Sequence, residues 1–180
     1  TYSSLEYFSK TVGNAAFALC YSPTIQQLLK TDSDISRVLM NDDVNSVFSS
    51  TSLLQDNIIG ISVFDKNGDI IASNGQTVIK EHIGIGDAAS HPDGLVSSLS
   101  SQAEEQRLGR KTYTISYPIY TLQPNRLLGP LLGAVMFTMN TESVQDILSN
   151  IESYEDGMSM LEDSGSRLVA SSSAAAQALY

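Results

Sequence analysis

"SVFDKNGDIIAS", residues 62–73, returns in altered form as "SMLEDSGSRLVAS" at 159–171. Each copy reads as two apolar strands around a polar turn, which is the pattern of a β-hairpin. The turns centre on Gly68 and Gly165, because so tight a reversal needs a residue that tolerates positive φ. The second copy carries one residue more, Arg167, and so turns through a longer loop. A duplicated unit is the other explanation for such a repeat, but the sequence between the copies does not recur. The reading is therefore two hairpins within one sheet, the later one adding an edge.

Working outward, the roughly fifty residues before the first hairpin are helical in pattern. Leu5, Phe8, Val12, Ala15, Ala16 and Leu19 fall near one face of a first helix, and Ser22 with Pro23 marks a bend and a restart. "TDSD" offers N-caps for a further helix from Ile35 to Leu54, with Met40, Val44, Val47, Phe48, Thr51 and Leu54 along its apolar face. After the first hairpin, Gly75 to Gly109 mixes short helical pieces with Gly and Pro breaks, a loop and helix cover for the sheet. "KTYTISYPIYTL" then alternates Tyr113, Ile115, Tyr117 and Ile119 against Thr112, Thr114, Ser116 and Tyr120, which predicts a strand with Tyr120 on the face opposite the other two tyrosines. "LLGAVMFTMN" is apolar almost throughout, as a central strand is, and "TESVQDILSNIESY" follows as a helix opened by Asn140 or Thr141.

Composition bounds the function. The 180 residues carry a formal charge of −10, which repels phosphate backbones and anionic lipid, so no nucleic-acid partner is expected. Cys20 is the only cysteine, on the apolar side of a helix, and no intrachain disulfide can form. No apolar run is long enough to span a membrane.

The chemical motifs are weak. "DKNGD" at 65–69 starts like a calcium loop, but Ile70 and Gln76 stand where Gly and Glu belong, so a solvated turn is the reading and no metal is expected. His82 and His91 have no partners at zinc-ligand spacing; His91 reads as an exposed turn residue, and His82 as either a turn residue or a pocket wall. No nucleophile elbow or phosphate loop is present, so no catalytic residues and no cofactor are assigned. The candidates for ligand binding are Tyr113 and Tyr117, whose rings and hydroxyls suit polar organic solutes, with Arg110 nearby. Asn140 is either a ligand contact or a helix cap.

The order of elements resembles the extracellular Cache sensor domains of bacterial membrane receptors, and the likeness covers most of the chain. It is carried by "NIIGISVFDKNGDIIAS", by "YTISYPIYTL" with "LLGAVMFTMNTESVQDIL", and by "GMSMLEDSGSRLVASS". The resemblance implies an α+β, PAS-like fold with an antiparallel sheet of five to six strands on long N-terminal helices, divided as a helical segment 1–56 and a sensor domain 57–180. It further implies a non-catalytic ectodomain outside the cytoplasmic membrane, with membrane spans beyond these residues. Such a domain binds a small polar solute, a sugar or organic acid, between sheet and cover, relays it by helix displacement to a histidine kinase, and can pair as a homodimer through its first helix. The same fold serves chemoreceptors, and a protein-interaction module without a small ligand is a further alternative. Amino-acid-sensing relatives place a Tyr–Arg–Trp–Tyr array before this strand and an Asp at the end of the next. Here there is no tryptophan, and Asn140 stands at the Asp position.

Overall fold

The computed structural model describes residues 2–53, 57–77, 83–97, 106–122, 128–152, 160–162 and 168–171. Helix α1 (Tyr2–Cys20) ends at the expected bend, and α2 (Pro23–Lys30) restarts with Pro at its first position. Proline is tolerated there because that N–H has no partner within the helix anyway. The single helix expected from Ile35 is divided at Met40 into α3 (Asp34–Leu39) and α4 (Asn41–Leu53). Arg37 Nε–H donates to the Thr31 carbonyl at 2.9 Å and ties α3 back onto the end of α2. Helix α3 buries none of its residues, whereas α4 sends Val44 and Phe48 into the core.

The first hairpin forms as the sequence predicts, from β1 (Ile58–Asp65) and β2 (Ile70–Gly75), with Gly68 at φ 91°. Its polar turn is satisfied locally: the Asp65 carboxylate accepts from the Asn67 N–H at 2.8 Å and the Asp69 N–H at 3.0 Å. After α5 (Ile85–Ala89) come β3 (Leu95–Ser97), β4 (Thr112–Leu122) and β5 (Leu128–Asn140). The five strands form one antiparallel sheet in the order β2-β1-β5-β4-β3, so the near-continuously apolar β5 is central. Asn140 then opens α6 (Thr141–Glu152).

The second hairpin departs from expectation. Its strands, β6 (Met160–Glu162) and β7 (Leu168–Ser171), pair only with each other in a separate two-stranded sheet, so the described main sheet has five strands and no sixth. The edges of the main sheet are β2 and β3, and β7 lies instead against α6. Period-two patterning identifies a strand but carries no information about which edge accepts it.

Alternation gives the main sheet two different faces. One packs on α1, α2, α4 and α6 through Ile61, Val63, Tyr113, Ile119, Val135 and Phe137, all almost completely buried. The other carries a small cluster of Phe64, Ile83, Ile85, Ala88, Ala134 and Met136, where α5 covers it.

Candidate functional site

The face under α5 is unusual for a buried surface. Across three adjacent strands it carries Ser62, Thr112, Thr114, Ser116 and Thr138, each between 0% and 4% exposed. Their registers make them neighbours: Ser62 and Ser116 flank Met136 in one row, Thr114 faces Thr138 in the next, and Thr112 faces Asn140 at the end. Ser and Thr are mostly surface residues, and a hydroxyl taken out of water wants a partner. The Ser62 hydroxyl has none among the described residues. The alternation in "YTISYP" was legible as two faces, but it was the tyrosine face that drew attention, and this row of small hydroxyls went unread.

The tyrosines point the other way. Tyr113 and Tyr117 lie on the α1 face, Tyr113 within the core and Tyr117 edge-on to Phe137 at a centroid distance of 6.1 Å. They line a cavity of about 240 Å³ closed on the helix side by Phe8, Ser9 and Val12. The Tyr113 hydroxyl is buried there without a partner among the described residues. A larger cavity of about 540 Å³ adjoins it, sharing Ser9, Asp93 and Tyr117 and extending along α1 to Phe17 and Tyr21. It sits where β3 ends: β3 pairs with β4 only at residues 114–116, so β4 beyond Tyr117 has an open edge toward α1. Tyr120 faces the other way from Tyr117, as alternation predicts, its hydroxyl 3.5 Å from the Ala89 carbonyl at the end of α5; it borders this cavity, as Pro118 does, where the cavity runs over the edge of β4. The β-bulge at this point puts its extra residue, Leu132, on β5 and leaves the period of β4 intact.

The five residues singled out from the sequence therefore do not form one site. Tyr113 and Tyr117 share the α1 face. Asn140 belongs to the opposite face and caps α6, its Oδ1 accepting from the Glu142 N–H at 3.1 Å, the role left open beside ligand contact. Arg110 is exposed and is not among the described residues that line either cavity. His82 lies outside the described residues. His91 is exposed as expected, its Nδ1 2.8 Å from the Asp87 carbonyl. Gln26 was missed: it is 5% exposed, and its Nε2 donates to the carbonyls of Cys20 and Tyr120, both at 2.9 Å, pinning α2 to the end of α1 and to β4. A polar residue beside Ile25 and one turn from Leu29 was the available signal. Among the described residues no group of three or more His, Cys, Asp or Glu is placed to hold a metal ion, and no helix is long and apolar enough to cross a membrane.

Three acidic protons in this region are held tightly. Burial pushes the Cys20 thiol up to about 12, and burial, with Cys20 and Asp93 adding to it, does the same for Tyr117. Burial, then Tyr117, raises Tyr113 further still. An unfolded chain ionises these groups from about pH 8.5 to 10, before the folded one does. The unfolded state then binds fewer protons, so stability present at neutral pH falls as pH climbs from about 9 toward 12. Denaturant midpoints are expected to be level between pH 7 and 8 and to drop above 9, with the drop reduced in Cys20→Ala; midpoints level through pH 11 contradict the buried placement.

No family model and no curated protein sequence matches the chain. Solved structures do. The sensory domain of the Campylobacter jejuni chemoreceptor Tlp3 matches with a TM-score of 0.60 at 17% identity, over 94% of this chain and 66% of that one. The ligand-binding domain of Tlp3 in complex with L-valine gives 0.58 at 17% identity, over 94% and 65%. The extracellular domain of the histidine kinase candidate vpHK1S-Z8 gives 0.54 at 14% identity, over 82% and 58%. The fold is thus that of the sensory domains of bacterial receptors, α+β and Cache-like, as the sequence resemblance implied. The chain spans just under two thirds of the Tlp3 domain's length.

Proposed function

We propose that the chain is a non-catalytic, extracytoplasmic sensing domain of a membrane receptor, and that it takes a small polar solute between the hydroxyl face of its sheet and the segments that cover it. The observation that carries this is the row of buried Ser and Thr side chains with the Ser62 hydroxyl, which has no partner among the described residues, a surface suited to a ligand rich in hydroxyl groups. No charged side chain lies among the described buried residues of that face, and its hydroxyl row favours a neutral sugar or polyol over an organic acid or an amino acid. Helix α6 leaves this face directly at Asn140, which gives a bound solute a route to the helix against which the second hairpin lies. The output is a sensor histidine kinase, as for vpHK1S-Z8; the greater likeness to Tlp3 favours a chemoreceptor as the second reading.

A thermal-shift screen of sugars, polyols, organic acids and amino acids tests the ligand. At a hundredfold excess over Kd a true ligand adds about 2.7 kcal/mol, or roughly 5–10 °C in Tm. Ser62→Ala and Thr114→Val are expected to fold and to lose that shift. A hit that both variants retain in full removes the ligand from this face.

A further inference from the structure

We propose that the groove between α1 and the open edge of β4 is a second binding site, selective for an organic cation carrying an ammonium head on an apolar body. Four aromatic side chains wall the larger chamber, Phe17 and Tyr21 from α1 and Tyr117 and Tyr120 from β4. Phe17 and Tyr21 stack at 4.1 Å yet remain 61% and 39% exposed, so ring surface that core packing would have covered is left open. Ring faces carry partial negative charge and attract cations, alkylammonium groups above all.

Among the described residues lining either chamber Asp93 supplies the only formal charge, with no Lys, Arg or His beside it in that lining, and it is common to both chambers. A carboxylate among rings with no internal counter-ion is the complement of an ammonium group and repels carboxylates. The net charge of −10 raises the local concentration of cations further. Beyond Asp93 the smaller chamber is lined by Val12, Val96, Ile115 and Val144, and by Tyr113, whose hydroxyl has no partner among the described residues. That geometry places the charged head in the aromatic chamber and the body of the ligand below it. The helix wall has been left thin: a Cβ added at Gly13 meets nothing within 4 Å.

Calorimetric titration of the folded domain with choline, phenethylamine and putrescine, and with 3,3-dimethylbutan-1-ol as the uncharged isostere of choline, tests this site. At least one cation is expected to bind, and the isostere roughly tenfold more weakly than choline or not at all. Asp93→Asn, an exposed turn position that leaves the core intact, is expected to weaken cation binding roughly tenfold, and Gly13→Trp to abolish it by filling the chamber. Binding of the isostere as tight as that of choline, titrations flat for all three cations, or affinity unchanged in Asp93→Asn overturns the proposal. Ser62→Ala separates the two sites, since it removes the sugar response proposed above and leaves cation binding as it was.

Discussion

Gly133→Ala is expected to leave little folded protein, although it adds only one methyl group. Gly133 lies on the central strand β5 opposite Asp65, where β1 passes so closely that an added Cβ would overlap the Phe64 carbonyl oxygen and press on Leu29 Cδ2 at 3.0 Å. A backbone carbonyl within a ladder cannot swing aside as a side chain does, so the sheet must part where it is most tightly paired. The cost is about 4 kcal/mol or more, the range reserved for severe packing faults, in a domain whose total stability is of order 5–15 kcal/mol. Gly13→Ala is the control. It replaces glycine inside α1 where the added Cβ finds open space, and should stabilise by about 0.5–1 kcal/mol. Urea unfolding of the two variants should move midpoints in opposite directions; a Gly133→Ala midpoint within error of the parent removes the close approach of β1 and β5.

The second large effect separates ring from hydroxyl at Tyr113. The side chain is 1% exposed and is among the largest fully buried groups, so Tyr113→Ala should cost about 3–5 kcal/mol through lost burial and the cavity left behind. Tyr113→Phe keeps the ring and deletes a hydroxyl that has no partner among the described residues, so it should be neutral or stabilising by about 1 kcal/mol. Thermal melts of both variants decide this. A Phe variant as unstable as the Ala variant shows that the hydroxyl is bonded after all. The pair matters for function too: a ligand response lost in Tyr113→Ala says only that the core is damaged, and the Phe variant is the one that reports on binding.

Local features were the legible ones. Gly68, the Asp65 turn, the bend at Ser22–Pro23 and the cap at Asn140 all follow from neighbours within four residues, and each stands where the sequence puts it. The centrality of β5 was also legible, since a strand covered on both faces has no polar side to show. What escaped reading depends on distant partners. The second hairpin has the right residues to be a strand pair, but its placement against α6 is decided by which surfaces remain uncovered once the five-stranded sheet has formed. Tyr120, by contrast, lies on the side alternation gives it, because the bulge opposite it adds its residue to β5 and not to β4. The hydroxyl row was in plain view as Thr112, Thr114 and Ser116, and gained its meaning only when β1 and β5 brought Ser62 and Thr138 alongside.

Helix α6 is joined at one end to the strand in the middle of the large sheet and at the other lies against the small one. Twelve residues of helix make a strut of roughly 18 Å. Val144 and Leu148 wedge it into the main core, so it cannot pivot freely at its root. A change in the twist of β5 is therefore expected to turn the strut as one piece rather than bend it at Asn140.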